Sequence, residues 1–129
     1  MRYPIAIEIG NETTAYGVIV PDLPGCFSAG ESVDEAIENS KEAIALHIDG
    51  LLDDGRTVPP PSSIEPFRNL PEYAGMVWAV VEIDPAILDD KAERVNITLP
   101  RRVLARLDAK AKAAGETRSG YIARLSLGA

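Results

Sequence analysis

The chain has 129 residues, an apolar fraction of 46% and a formal net charge of −7. This is an ordinary soluble composition for one domain, or for one domain and a small module. No apolar run is long enough for a membrane span, and the N-terminal MRYPIAIEIG lacks the apolar core of a signal peptide. The single cysteine, Cys26, excludes an intrachain disulfide and predicts a cytoplasmic location.

The charge is divided unevenly along the chain. Residues 1–91 contain 5 Lys and Arg against 17 Asp and Glu, a net charge of −12. Residues 92–129 contain 8 against 3, a net charge of +5. This division predicts different partners, because a basic end can bind a polyanion and an acidic body favours a basic protein. Acidic surfaces also serve solubility alone, so the charge does not decide the partner.

The first thirty residues predict three strands. Residues 3–9 alternate in polarity, residues 15–20 are rich in β-forming residues, and residues 27–29 can form a short third strand. Between the second and third strands, PDLPGC is a rigid bend, because its prolines and glycine break regular structure. The first strand has four apolar residues on one face: Tyr3, Ile5, Ile7 and Ile9.

A long helix and a fourth strand follow. Ser32 with Glu35 forms a capping box, and apolar residues at helical spacing continue to Leu51, with Gly55 as the C-cap. The three prolines at 59–61 form a stiff connection. Residues 76–83 are nearly all apolar at first, which predicts a central strand or one covered on both faces.

The last part of the chain predicts one strand and two helices. Residues 85–92 have the composition of a linker, and residues 93–100, ERVNITLP, alternate strictly between polar and apolar side chains. A basic amphipathic helix then begins at Pro100 and stops at Gly115, and Thr117 is an N-cap for a second helix.

The strand at 93–100 has no partner strand in its own module. About 38 residues cannot enclose a core alone, so a second copy of the chain is the simplest partner. Two such strands pair antiparallel about a two-fold axis, and the four helices close over their apolar face. The predicted dimer core consists of Val95, Ile97, Leu99, Leu104, Leu107, Ile122 and Leu125.

The same dimer exposes the polar face of the two-stranded ribbon, which has the size of the DNA major groove. Arg94, Asn96 and Thr98 are the residues predicted to contact bases. The start of the last helix presents free amides and a positive dipole end to a phosphate, and nearby arginines, Arg106 among them, add attraction. The predicted phosphate-binding residues are Arg101, Arg102, Thr117, Arg118 and Ser119.

The segments RVNITLP and GETRSGYIARL, with the basic helix between them, resemble the ribbon-helix-helix family of DNA-binding regulators. The resemblance implies that the polar strand residues read bases and that residues 117–119 clamp a phosphate. An edge strand and a solvated basic helix in an ordinary dimer would give a similar pattern.

The stretch PDLPGCFSAGES, followed by VDEAIENSKEAIALHI, resembles the HicB antitoxin family. The resemblance implies an α+β fold with a β-β-β-α-β partial ribonuclease H-like domain at 1–84, a linker at 85–92 and a ribbon-helix-helix domain at 93–129. It also implies that the first domain binds a small basic HicA toxin, an mRNA-cleaving ribonuclease, and that the second represses the operon by binding operator double-stranded DNA. Dimers through the second domain, and tetramers through the first, are implied as well. The motif itself does not identify the toxin-contact residues, and Cys26 is expected to pack as a small hydrophobe.

Catalysis and metal binding are not expected. Divalent-metal nucleases need clustered carboxylates, but Glu8 lies on the outer face of a strand and Glu35 belongs to the capping box. His47, the only histidine, has no second ligand at metal-binding spacing, and no cofactor motif is present. The carboxylates considered for a nuclease site are Glu8, Asp22, Glu35 and Glu38.

Two other functions fit parts of the pattern. A stand-alone ribbon-helix-helix transcription regulator would use the acidic domain to sense a ligand or to oligomerise. A divalent-metal nuclease would use the carboxylates of the ribonuclease H-like domain. The antitoxin is favoured because it explains both the charge division and the two motif resemblances.

Overall fold

The computed structural model describes residues 1–128, which form two compact units, Met1–Asp90 and the part of the chain from Lys91 onwards. Within the described residues, no helix is both long and apolar enough to cross a membrane. The first unit has a four-stranded antiparallel sheet in the order β3-β2-β1-β4. The strands are β1 (Arg2–Glu8), β2 (Tyr16–Ile19), β3 (Phe27–Gly30) and β4 (Val77–Glu82).

One long helix, α1 (Val33–Asp53), covers one face of this sheet. The Ser32 side chain caps α1 by accepting a hydrogen bond from the Glu35 amide at 3.1 Å, which confirms the serine half of the predicted capping box. Gly30 lets the helix start approach β3 closely, because a Cβ atom there would stand 2.4 Å from the Ala36 nitrogen. At the other end, Gly55 takes a positive φ and ends the helix as predicted.

The strand β1 is the centre of the core and is buried on both faces. Tyr3, Ile5 and Ile7 belong to the core cluster that includes residues of α1, as their alternation predicts. The predicted fourth member of that face, Ile9, lies beyond the strand and is exposed, because β1 ends at Glu8. Pro4 and Ala6 point to the opposite face and are buried as well, which the alternating pattern did not predict.

The apolar strand β4 is an edge strand, so the prediction that it is central or covered on both faces was wrong. It pairs only with β1 in the described structure, and Val77 and Val80 remain exposed. An unbroken apolar run is typical of a central strand. In β4 the apolar residue Trp78 instead packs against a local cluster of aromatic side chains.

The cluster joins Trp78 of β4 to two rings of the segment 59–76, on the sheet face opposite α1. The segment contains a short helix, α2 (Glu65–Arg68), and a 3-10 turn at Pro71–Tyr73. The rings of Phe67 and Tyr73 lie 6.4 Å and 5.2 Å from that of Trp78. Because Trp78 pairs with Ala6 in the strand register, the aromatic cluster lies on the β1–β4 side of the sheet, where Pro4 and Ala6 are buried.

The second unit contains two helices, α3 (Arg101–Ala113) and α4 (Arg118–Ser126). Gly115 ends α3 with φ at 69°, and the Glu116 amide donates to the Ala111 carbonyl at 2.9 Å, which closes the turn between the helices. The residues predicted as a linker, 85–92, begin with a 3-10 turn at Pro85–Leu88, and Ile87 packs against the core of the first unit.

Candidate functional site

The polar-apolar segment 93–100 is not a strand in the single chain. Its apolar side chains lack cover, since Val95 is 72% exposed and Ile97 is 64% exposed. The predicted ribbon requires a second copy of the chain, so the strand and its pairing stay predictions. What the single chain does contain is a row of two exposed apolar side chains and one half-buried one, Leu99, that alternates with Arg94, Asn96 and Thr98.

The two helices of the second unit also leave their apolar side chains incompletely covered. Among the described residues from Lys91 onwards, only Ala111 is buried. Leu125 is exposed, and Leu104, Leu107, Leu99 and Ile122 are half-buried. A unit with so little buried apolar surface has almost no core of its own, and its apolar side chains need another surface.

The start of α4 has the geometry of an anion-binding helix terminus. The Thr117 hydroxyl oxygen accepts a hydrogen bond from the Gly120 amide at 3.0 Å, so the threonine is the N-cap that the sequence predicts. The amides of Arg118 and Ser119 precede the first intrahelical hydrogen bonds and have no acceptor within the helix. These two amides and the Thr117 hydroxyl proton can donate to a phosphate oxygen.

The guanidinium group of Arg118 is held by a carboxylate in the single chain. Arg118 Nε donates to Asp108 Oδ1 at 2.8 Å, and Nη2 donates to Oδ2 at 2.9 Å. These hydrogen bonds lower the pKa of Asp108 and raise that of Arg118, because each group stabilises the charged form of the other. The sequence pattern did not reveal this pair, since Asp108 lies ten residues earlier on the other helix.

A second ion pair links the interhelical turn to α4. Arg124 Nε donates to Glu116 Oε1 at 2.7 Å, and its guanidinium carbon lies 5.1 Å from the centre of the Tyr121 ring. This arginine is thereby committed to the unit itself. The remaining basic residues of the unit are exposed to solvent: Lys91, Arg94, Arg101, Arg102, Arg106, Lys110 and Lys112.

Part of the predicted nucleic-acid interface comes together in an open depression of about 310 Å³. Thr98, predicted to contact a base, and Arg118, predicted to contact a phosphate, both line it. Its remaining lining residues come from the predicted dimer core and are Ile97, Leu99 and Leu104. The fold of one chain therefore brings a base-contact candidate and a phosphate-contact candidate to one surface.

Two of the four carboxylates considered for a nuclease site, Asp22 and Glu38, accept hydrogen bonds from other side chains. Both oxygens of Asp22 accept hydrogen bonds from Ser62, at 2.8 Å from its amide and 2.7 Å from its hydroxyl. Glu38 accepts a hydrogen bond from Lys41 at 3.0 Å, whereas the contact of Glu35 with Ser32 is made by its backbone amide and not by its carboxylate. Glu8 lies over Gly17, with a carboxylate oxygen 3.8 Å from the position of an added Cβ. No group of three potential metal ligands occurs among residues 1–128.

The motif PDLPGC proves to be a packing element. Cys26 is buried in the core, as expected of a small hydrophobe, and burial raises the pKa of its thiol. The neighbouring Asp22 holds a segment that lies 40 residues later in the chain. Sequence reasoning missed this contact because no local pattern links the two positions.

Nearly the whole chain matches the model of a known protein family. A model of the family described as HicB-like antitoxin of bacterial toxin–antitoxin systems matches residues 3–126. The chain is also 48% identical over 108 residues to an uncharacterized 14.9 kDa protein in the rep-hol intergenic region of Haemophilus phage HP1, a match that covers 84% of this chain and 80% of the phage protein.

Two solved structures are similar in fold and sequence. The crystal structure of the Burkholderia pseudomallei antitoxin HicB has a TM-score of 0.63 and 45% identity, and the match covers 98% of this chain and 96% of that one. A chain of the HicA3 and HicB3 toxin–antitoxin complex has a TM-score of 0.57 and 35% identity, and the match covers 66% of this chain and all of that one.

Proposed function

The chain belongs to the HicB-like antitoxin family of bacterial toxin–antitoxin systems, and from this premise we propose that it binds and neutralises a HicA-type toxin in the cytoplasm and represses its own operon. The first unit binds the toxin, which the resemblance to the HicB family implies to be an mRNA-cleaving ribonuclease. The second unit binds operator DNA as a homodimer. The protein itself acts by binding and not by catalysis.

Toxin binding is supported by similarity to one chain of the HicA3 and HicB3 complex. The match covers the whole of that chain at 35% identity. The acidic charge of residues 1–91 adds a physical reason, because a ribonuclease that binds RNA needs a basic surface. Complementary charge speeds association and excludes wrong partners.

DNA binding is supported chiefly by the nearly coreless second unit, in which Ala111 alone is buried among the described residues. Antiparallel pairing of two copies of residues 93–100 would cover Val95 and Ile97 and would contribute about 2 kcal/mol for each side chain that becomes fully buried. The same pairing would set two copies of Arg94, Asn96 and Thr98 on one ribbon of major-groove size.

Neutralisation is tested by expressing the small basic reading frame adjacent to this gene, with and without the antitoxin. We expect growth arrest without it, growth with it, and a stable complex of the two proteins. Operator binding that persists in the absence of any toxic neighbour would instead favour a stand-alone regulator. Magnesium-dependent RNA cleavage by the purified chain, abolished by Glu8→Ala, would favour the nuclease.

Operator binding is tested with two variants of the second unit. Asn96→Ala removes a base contact, so we expect weaker operator binding and a relaxed sequence preference. Arg101→Ala removes a phosphate contact, so we expect all DNA sequences to be bound more weakly. The salt slope, which is the slope of the logarithm of the binding constant against the logarithm of the salt concentration, should become shallower by the equivalent of about one phosphate contact. Fluorescence anisotropy at several salt concentrations separates the effects, and wild-type behaviour in both variants would contradict the interface.

A further inference from the structure

An apolar row crosses the sheet on the face opposite α1. In the strand register, Phe27 pairs with Ile19, Ile19 with Ala6, and Ala6 with Trp78. The row therefore contains one apolar residue from each strand, in line and on one face. On the other face of the sheet, α1 covers the equivalent rows. The face with the Phe27 row is not packed against α1, so another segment or another protein has to cover it.

Only half of this row is covered by the chain itself. On the β1–β4 side, Phe67 stacks against Trp78 with an interplanar angle of 18°, and Ala6 is fully buried. On the β2–β3 side, Phe27 is 65% exposed although it continues the same row. An exposed aromatic side chain at the end of a partly covered apolar row is a typical centre of a protein interface.

The next row provides a flat floor beside Phe27. It consists of Ala29, Gly17 and Glu8, in register across β3, β2 and β1. A Cβ atom added at Gly17 would meet only the Glu8 side chain, at 3.8 Å, so space above this glycine is open apart from that carboxylate. The exposed surface is thus apolar, shallow and bordered by a negative charge.

The part of the sequence that forms the open half of this face carries charges of one sign. No Lys or Arg occurs from Tyr3 to Ser40, a stretch that contains seven Asp and Glu. At the end of the sheet where Glu8 lies, the β1–β2 turn forms a polar depression of about 470 Å³ with Glu12 and Glu31 in its lining. A second copy of this chain would bring like charges together here, whereas a basic protein would be attracted.

We propose that the open half of this sheet face, centred on Phe27 and floored by Gly17 and Ala29, is the surface that docks the basic toxin, a proposal that rests on the function proposed above. Phe27 enters an apolar recess of the toxin, and toxin lysines or arginines face Glu8, Glu12 and Glu31. The aromatic contact supplies most of the affinity, and the carboxylates supply the rate of association and the selectivity.

The test measures the affinity of full-length variants for the toxin encoded by the adjacent reading frame, purified from the complex and titrated by calorimetry. Phe27→Ser removes the aromatic contact, and Gly17→Gln puts a side chain on the floor. We expect each to weaken binding by about tenfold or more. Leu46→Ser is the matched control, because Leu46 is 58% exposed on α1, and its affinity should stay within about twofold of wild type.

Wild-type affinity in both Phe27→Ser and Gly17→Gln would overturn the docking surface while leaving the antitoxin function intact. Equal loss of binding in Leu46→Ser would also overturn it, since the effect would not be specific to this face. A change in oligomeric state with unchanged toxin affinity would assign the face to a second copy. If wild-type protein itself binds no toxin, the antitoxin function fails together with the surface. Unfolding temperatures of all variants check that each one folds.

Discussion

Two side chains at the start of α4, Thr117 and Arg118, have a hydrogen-bond partner within the chain and a proposed second partner, a DNA phosphate, outside it. Thr117 caps α4 with its hydroxyl oxygen and keeps its proton for another acceptor. Arg118 is bound to Asp108 through two hydrogen bonds, although the resemblance assigns it to a DNA phosphate. If the second unit binds DNA as proposed, Asp108 would compete with a phosphate for the same guanidinium group, in an ion pair that is exposed to solvent and sensitive to salt.

This competition predicts the effect of Asp108→Asn. With the carboxylate removed, Arg118 is free to bind a phosphate, so DNA should be bound more tightly and the salt slope should increase by about one phosphate. Glu116→Gln is the control, because it removes the same charge but frees Arg124, which lies against Tyr121. Anisotropy titrations at several salt concentrations give both slopes. Weaker binding by Asp108→Asn would mean that Asp108 positions Arg118 instead of competing for it.

At the scale of elements, one carboxylate joins the bend after β2 to the segment after α1. Asp22 accepts two hydrogen bonds from Ser62, and Tyr3 donates to the Pro59 carbonyl at 2.7 Å. These contacts fix the path of the segment whose aromatic rings cover the β1–β4 side of the sheet. The acidic residue of the PDLPGC motif thus has a structural function.

The contact predicts a loss of stability in Asp22→Ala. Both hydrogen bonds to Ser62 disappear, and because they involve a charged acceptor the free energy of unfolding should fall by about 1–3 kcal/mol. Ser62→Ala removes only the hydroxyl bond and should cost less. Urea unfolding followed by the fluorescence of Trp78 measures both changes. Equal stability of wild type and Asp22→Ala would show that the segment is held by its aromatic packing alone.

The end of α1 carries an unfavourable arrangement of charge. Its last turn has no basic residue, and the pKa of Asp49 is raised by burial, by Asp53 and by Asp90, in that order. Carboxylates near a helix C-terminus also oppose the helix dipole. The folded state therefore holds the Asp49 proton more tightly than the unfolded state does.

The sign of this shift predicts a pH-dependent gain in Asp49→Asn. A raised carboxyl pKa means that ionisation destabilises the fold, so stability is lost as the pH rises through the ordinary aspartate value of 3.8 and the higher folded value. Asp49→Asn should unfold at a higher urea concentration than wild type at neutral pH, and the difference should vanish below pH 3.8. An advantage that persists in acid would contradict the electrostatic origin.

At the scale of the whole molecule, the charge division corresponds to two compact units with different surfaces. The first has a core built on β1 and α1, and the second has exposed apolar side chains beside exposed basic ones. If each unit binds its own partner, a change in one should leave the other function intact.

The whole-molecule prediction concerns Ile97→Asp. A charge at this position opposes the proposed dimer core, so full-length protein should sediment as a smaller species and lose operator binding, while toxin affinity stays within about twofold. Thr98→Ala, on the polar side of the same segment, should keep the oligomeric state. Unchanged sedimentation of Ile97→Asp would contradict dimerisation through residues 93–100, and a loss of toxin binding would contradict the independence of the units.

The local elements of this protein followed from the sequence. Ser32, Gly55, Gly115 and Thr117 mark helix ends because the hydrogen bonds that cap a helix form among neighbouring residues. The alternation in β1 predicted that Tyr3, Ile5 and Ile7 enter the core, for the same local reason, but it did not predict the burial of Pro4 and Ala6. The candidate DNA interface at 93–119 was also predicted from the local spacing of polar and apolar residues. It remains a prediction, because it requires two copies of the chain.

The tertiary structure alone decided which contacts join distant parts of the chain. It placed β4 at the edge, put Asp22 beside Ser62 and Asp108 beside Arg118, and left Phe27 at the open end of an apolar row. Side-chain periodicity shows that a face is apolar, but it does not show what covers that face. Cover depends on the path of segments far away in sequence, and that path is fixed only when the whole chain packs.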